Sequence, residues 1–543
     1  MQHGAPADVF LPQMYEESDH EELFTHEALL NDMSNIVFRD SDEETTQGEE
    51  VELQSGPLDD AWKLCTSITP RVVTSSNSLS PEILALIFGS TVGAVPALNS
   101  HLIRVTHVCR YWRDVALHTP ALWTHIALLH PDAINAFLER SQALPLSIHL
   151  HMNPRPNPAS PEGIHTDALR ALLTGFSRTL SLKINHLSSE GYDLVMKRIA
   201  RGAPKLEVLS IAKRTIGTGS MLDHAPDDVD GLPRLRSLKL RGEPLPWLPT
   251  WPNALTEIDL VSAVHDAPAL LDLLERSPAL EHVTIRGFFN AVVADDPHEV
   301  TLAHLKTLRL HSFSIPGIAT LLPSLDLPSQ HTNISLGDPK SRGGAFADLI
   351  PMHDESDPLP WAALRGLKRV QLKWDQHEYQ TLCAYRSAAL DDPAPPALQV
   401  QAFGGEWAMG ERFFFNWPID AAHVETVDVY GDRSAVASLD RWRTMLLSVP
   451  ALKTLRVRAV DGDLQDVLRA LAPEADPLLC PRLETLILAR VSAAQDAADS
   501  LVDAVSLGRS PAMGGCLTTV TVEMPTIEPA VADAWLGSVC EDG

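Results

Sequence analysis

One spacing constrains this chain more than any other feature. The pattern L-x-x-L-x-L, with valine or isoleucine in place of some leucines, returns ten times in order. It falls at Leu206-Leu209-Ile211, Leu235-Leu238-Leu240, Leu255-Ile258-Leu260, Leu280-Val283-Ile285 and Leu305-Leu308-Leu310, then at Leu367-Val370-Leu372, Val424-Val427-Val429, Leu452-Leu455-Val457, Leu483-Leu486-Leu488 and Leu517-Val520-Val522. A single match would be weak, but ten in order describe a stack of similar units. The last two apolar residues of each unit alternate with polar ones, the period of a strand with one face turned inward. Helical stretches separate strands, as at Ala267–Arg276 and Asp463–Leu471. Proline stands just before many strands (Pro204, Pro233, Pro278, Pro450, Pro481), where it ends a helix and directs the chain into the next strand. Earlier strands are expected at Leu146–Leu150 and Leu180–Ile184. Two stretches break the pattern and read as loops or a degenerate unit, Pro323–Pro360 and Asp391–Pro396. The implied fold class is α/β, short parallel strands alternating with helices.

A second stretch, Leu79 to Trp123, obeys a different rule. Ser80 can cap a helix whose first turn holds Pro81 and Glu82: proline there gives up no needed donor, and a carboxylate favours the positive end of the helix dipole. Ile83, Leu84, Ile87 and Phe88 recur at helical spacing, and Val105, Val108, Cys109, Trp112, Val115 and Ala116 form the stripe of an expected second helix. The stripes alone fit an ordinary helical hairpin packed on its own chain. The identities L-x-P-E-I-L, V-C-R-Y-W-R and L-W together resemble the F-box, the module by which a substrate receptor hangs on a Skp-cullin-F-box ubiquitin ligase. One departure is that Leu79-Ser80 stands where the family usually has Leu-Pro, with proline following at Pro81.

The resemblance implies that Leu79, Pro81, Ile83, Leu84, Ile87, Phe88, Val105, Val108, Cys109 and Trp112 supply the contacts to the Skp adaptor or the F-box core. The sequence does not divide those two roles. The later units resemble the irregular leucine-rich repeats that follow F-boxes in many large fungal proteins, although the asparagine of regular repeats is missing after most strands. The expected architecture is therefore a small helical F-box-like module followed by an irregular leucine-rich-repeat solenoid. Its parts are an acidic tail at 1–76, the F-box-like domain at 77–128 and the repeat domain at 129–543, with Trp123 packed where module and repeats meet.

Charge sharpens the partner classes. The formal net charge is -28, which argues against nonspecific binding to nucleic acid or an anionic membrane. The first 60 residues hold 17 acids and a single Arg or Lys, Arg39, so this tail is expected to stay solvated. Within it, Leu23, Phe24, Leu29, Leu30, Met33, Ile36, Val37 and Phe38 suit an amphipathic helix, leaving a docking element as the alternative to a solubilising tail. Six cysteines lie far apart with no C-x-x-C, and Asn333-Ile334-Ser335 is a sequon of the kind chance supplies. No continuous apolar run approaches the length of a membrane span, and the N-terminus lacks a secretory signal pattern, so cytosol or nucleus is expected.

No catalytic motif is present, neither a phosphate-binding glycine loop nor G-x-S-x-G nor H-E-x-x-H, and no cofactor is expected. His149 and His151 would share a strand face, but the sequence places no third metal ligand nearby. Cys109 reads as a small packing residue. On the other face of the repeat strands the intervening positions include Lys239, Arg241, Arg286, Arg309, His311, Arg369, Lys373, Arg456 and Arg458. A basic row in so acidic a chain suggests a protein substrate carrying carboxylates or phosphates. The alternative is a mixed solvated surface, since Glu257, Asp259, Asp428 and Glu523 share that face. The leading reading is a non-catalytic substrate-recognition subunit, joined through the Skp adaptor to a cullin. A binding scaffold with no ligase role is the runner-up.

Overall fold

The computed structural model describes residues 79–92, 98–127, 130–152, 163–199, 201–213, 232–242, 254–290, 299–312, 318, 321–337, 361–374, 379–403, 421–431, 439–459, 465–472, 479–490, 502–503, 505–506, 508–510 and 515–523. The acidic tail and its amphipathic stretch lie outside them. Helix α1 (Pro81–Val92) starts as its sequence dictates. The Leu84 N–H donates to the Ser80 carbonyl at 3.1 Å, and hydrogen bonds from its own backbone N–H and the Ser80 hydroxyl hold the Glu82 carboxyl below its ordinary range. The expected single second helix is divided into α2 (Leu98–Thr106) and α3 (Arg110–Leu117). Cys109 causes the break: its backbone is extended and its Sγ accepts a hydrogen bond from the Trp112 N–H at 3.4 Å, so it caps α3. Arg113 Nε donates to the Thr106 carbonyl at 2.8 Å and Tyr111 Oη to the Leu79 carbonyl at 2.7 Å, tying α3 to the end of α2 and the approach to α1.

The module is anchored to the first strands of the sheet. Trp123 is fully buried, donates from Nε1 to the Ala116 carbonyl at 2.8 Å, and meets Phe137 edge-on with ring centroids 4.8 Å apart. Phe137 belongs to α4 (Pro131–Arg140), whose Arg140 guanidinium lies 4.5 Å from the Trp123 ring. Asn99, buried on α2, donates to the His125 carbonyl at 2.8 Å and accepts from the Ala127 N–H at 2.6 Å, clamping strand β1 (His125–Ile126). Strand β1 opens the sheet by pairing parallel with β2 (Leu146–His151).

From there the chain lays down β3 (Thr179–Leu187), β4 (Val208–Lys213), β5 (Ser237–Arg241), β6 (Glu257–Asp266), β7 (His282–Asn290), β8 (Val300–Thr301), β9 (Thr307–Ser312), β10 (Leu325–Asp326), β11 (Asn333–Gly337), β12 (Arg369–Trp374), β13 (Tyr379–Tyr385), β14 (Leu398–Phe403), β15 (Thr426–Gly431), β16 (Thr454–Ala459), β17 (Thr485–Arg490) and β18 (Thr519–Glu523). Among the described residues one sheet takes sixteen strands in the order β1-β2-β3-β4-β5-β6-β7-β9-β11-β14-β13-β12-β15-β16-β17-β18, while β8 and β10 pair separately. Every pairing in it is parallel except β12 with β13 and β13 with β14. Helices α5 (Gly163–Thr174), α6 (Ser189–Ile199), α7 (Ala267–Glu275), α8 (Leu439–Ser448) and α9 (Gln465–Ala470) lie in connections between strands. The result is a small helical module followed by a long, mostly parallel sheet with helices.

The leucine pattern sets the register. Leu209, Leu238, Ile258, Val283, Leu308 and Ile334 are successive partners across β4 to β11, followed two residues on by Ile211, Leu240, Leu260, Ile285, Leu310 and Leu336, all buried. At the far edge Val520 is partly buried and Val522 is 41% exposed; among the described residues no further strand pairs with β18. The prolines also have a geometric role. Each of the five occupies the second place of a four-residue turn closed by the first leucine of the pattern: Leu206 N–H to Ala203, Leu235 to Leu232, Leu280 to Ser277, Leu452 to Val449 and Leu483 to Cys480, at 3.0 to 3.2 Å. Proline's fixed φ suits that place in a turn.

The first break in the pattern holds two strands. Pro323–Pro360 contains β10 and β11, with residues 338–360 outside the described set. Strand β11 lacks the full pattern because the exposed His331 takes the first leucine position, and the buried Thr332 donates instead to the Leu305 carbonyl at 2.6 Å. Asn333 of the sequon sits inside this strand, next to Arg386 Nη1 at 3.3 Å from its Oδ1. Asp391–Pro396 is a loop, joining β13 to the antiparallel β14.

Candidate functional site

The helical module divides its apolar residues between two environments. Leu84 and Phe88 are buried with Leu102, Val115 and Ala116, and the Phe88 ring packs against Trp112 with centroids 5.2 Å apart. Leu79, Val105 and Trp112 are partly buried against this core. On the outer side of α1, Ile83 is 46%, Leu86 69% and Ile87 43% exposed, and Val108 in the turn before α3 is 57% exposed. Pro81 is exposed at the helix start, and Cys109 is half-buried in its capping role. The spacing i, i+3, i+4 sets Ile83, Leu86 and Ile87 on one helix face. Sequence reading passed over Leu86, although it completes that face, and over Asn99 and Tyr111, whose polar contacts have no periodic signal.

On the sheet, the positions between inward residues form an open face, and the basic row falls into different settings along it. Lys239 Nζ is 2.6 Å from Glu257 Oε1, Arg241 Nη2 is 3.7 Å from Asp259 Oδ2, and Arg458 Nη2 is 3.0 Å from Asp428 Oδ2. Burial opposes ionisation of Glu257, but hydrogen bonds from Lys239 and Ser237 prevail and hold its carboxyl below the ordinary range. Arg369 is an internal residue, 4% exposed, bonded to the Ala389 carbonyl and stacked 3.8 Å from the Tyr385 ring centroid. Arg286, Arg309 and Lys373 are exposed, while Arg456 is half-buried. His311 is half-buried between strands, its Nε2 3.3 Å from Ser335 Oγ; burial, then the nearby Arg286 and Arg309, push its pKa down to about 4.

His149 and His151 do share the open face of β2: His149 is half-buried, and His151 is exposed and packs edge-on to His186 at 4.9 Å. Among the described residues no group of three or more His, Cys, Asp or Glu side chains is placed to hold a metal ion, and no helix is long and apolar enough to cross a membrane. The described residues present an apolar patch on α1 and a charged face on the sheet.

Residues 79–129 match the F-box-like family model, and that range covers α1 through β1 together with the Asn99 clamp and Trp123. The chain carries an F-box-like domain. Domains of this family typically bind a Skp adaptor, and their proteins are generally non-catalytic. No curated protein matches the chain.

Proposed function

We propose that this protein is the substrate-recognition subunit of a Skp-cullin-F-box ubiquitin ligase, acting in the cytoplasm or nucleus. The F-box-like domain binds the Skp adaptor, and through it a cullin, while an irregular leucine-rich-repeat solenoid holds a protein substrate on the open face of its sheet. The observation that carries this reading is the uncovered apolar face of Ile83, Leu86 and Ile87, with Val108. Covering such half-exposed side chains is worth about 1 kcal/mol each, so a partner gains several kcal/mol there. Leu84 and Phe88 on the inner side hold α1 in place to present that face. The subunit itself needs no catalytic residue. Its contribution is proximity, since holding substrate lysines beside a charged ubiquitin-conjugating enzyme turns an encounter between separate molecules into a local one.

The test is reconstitution of the full chain with purified Skp adaptor and cullin. A co-eluting ternary complex is expected. Capture of neither would leave a repeat scaffold whose helical module serves only its own chain.

A further inference from the structure

The open face is uneven in charge. On β5 and β6, Lys239 and Arg241 face Glu257 and Asp259. Among the described residues from β7 to β16, the open-face strand positions hold Arg286, Arg309, Lys373, Arg456 and Arg458, with Asp428 as the carboxylate and Arg369 internal. Asp428 is 3% exposed, accepts from Gln371 Nε2 at 2.8 Å and pairs with Arg458, so it offsets one cation from within the sheet.

These basic side chains fall in two groups. Arg286 and Arg309 stand on β7 and β9, and both act on the half-buried His311, which disfavours a proton there. Lys373, Arg456 and Arg458 stand on β12 and β16, on either side of the 39%-exposed Tyr430 of β15; Lys373 is its register partner, and the Arg458 guanidinium lies 5.2 Å from its ring. Between the groups the register places the uncharged Ser335 and Gly337 on β11, Gln399 and Gln401 on β14, Thr381 and Cys383 on β13, and Gln371 on β12, while the half-buried Arg386 bonds Asn333 and Arg369 is internal. From β9 to β12 there are four strand steps, β9 to β11 to β14 to β13 to β12, which at about 4.8 Å each is about 19 Å, or about six residues of extended peptide.

We propose that this face binds an extended acidic peptide running across the strands, with two groups of carboxylates or phosphates about six residues apart, one against Arg286 and Arg309 and the other against Lys373, Arg456 and Arg458. The proposal rests on the reading of the sheet as the substrate-holding surface and specifies the substrate's chemistry. The amides of Gln399 and Gln401 suit the uncharged backbone between the two anionic groups, and arginine binds carboxylate or phosphate bidentately.

The test uses the full chain without adaptor and fluorescein-labelled Gly/Ser peptides, read by anisotropy. The peptides carry two phosphoserine pairs, or two glutamate pairs, separated by two, six or twelve residues. The six-residue spacing should bind tightest, weaken as salt rises, and lose about tenfold in affinity for each of Arg309→Glu and Lys373→Glu, as close charge pairs do. Lys239→Gln, already offset by Glu257, should change little. Arg309→Gln should give a smaller loss, and melting temperatures of all variants check folding. Tighter binding of the phosphoserine series would name phosphates as the anion, and equal binding would make carboxylates sufficient. Absence of binding, affinity indifferent to spacing, or equal losses in Lys239→Gln and Arg309→Glu would overturn the proposal. Because no adaptor is present, failure here leaves the adaptor-binding reading untouched.

Discussion

On α1, inward and outward residues are both apolar, Leu84 and Phe88 beside Ile83, Leu86 and Ile87; on the sheet, inward residues are apolar and most outward ones polar or charged. Both regions solve burial, but they leave different chemistry outside. A short helix that exposes isoleucine and leucine needs a partner that removes water from them. A strand face of arginine, lysine, glutamine and threonine is already comfortable in water and selects a partner by charge. The two faces therefore differ in the partner chemistry they favour, and the proposed function assigns the adaptor to the helix and an acidic substrate to the sheet.

The largest effect should come where the two regions join. Trp123→Ala removes a buried ring that touches Phe137 and bonds Ala116, and should cost about 3–5 kcal/mol; chemical denaturation should then give a lower midpoint for module and sheet together. A loss confined to helix signals would mean that the regions do not share a core. Next, Leu308→Ala in the middle of the sheet should cost about 3 kcal/mol while leaving adaptor capture by the remaining folded protein intact.

His311 gives a pH-dependent contrast. Its ordinary pKa is 6.5 and burial together with Arg286 and Arg309 brings it to about 4, so its contribution to stability is complete above pH 6.5 and is lost as pH falls toward 4. Allowing for its partial exposure, about 2 kcal/mol is at stake. His311→Gln should flatten that part of the stability profile, and an unchanged profile would show that the ring is solvated. The smallest effect on stability belongs to the outer face of α1: Ile87→Ala should stay within about 0.5 kcal/mol of the parent in melting experiments, since the side chain is 43% exposed. A larger loss would place Ile87 in the core and erase the contrast.

Much of the sheet was legible because leucine at fixed intervals leaves few ways to bury itself. The same alternation predicts strands at 146–150 and 180–184, which are β2 and β3, and the prolines expected at strand entry stand there in turns. What was hidden had local physical causes. Strand β11 gave up its first leucine to His331 and satisfied Thr332 by a hydrogen bond instead. The antiparallel pair β13 and β14 offers only short alternations, Leu382 with Ala384 and Leu398 with Val400, and nothing in such alternation states direction. The split between α2 and α3 depends on a cysteine acting as a cap, a role that its residue type seldom signals. In the F-box-like domain the motif located the helices, but only three-dimensional packing separates Leu84 and Phe88 from Ile83 and Ile87. The basic row was legible as composition, while its ion pairs to Glu257, Asp259 and Asp428 required the register.

The central claim is that the outer face of α1 is an adaptor-binding surface. It is tested most directly by calorimetric titration of purified Skp adaptor into the full chain and into the double variant Ile83→Asp, Ile87→Asp, with melting curves recorded beside it. Saturable binding to the parent is expected, with at least about a hundredfold weaker binding to a variant that still folds, because two charges would be buried unpaired in the interface. Equal affinity in parent and variant, or no heat from the parent, would contradict it.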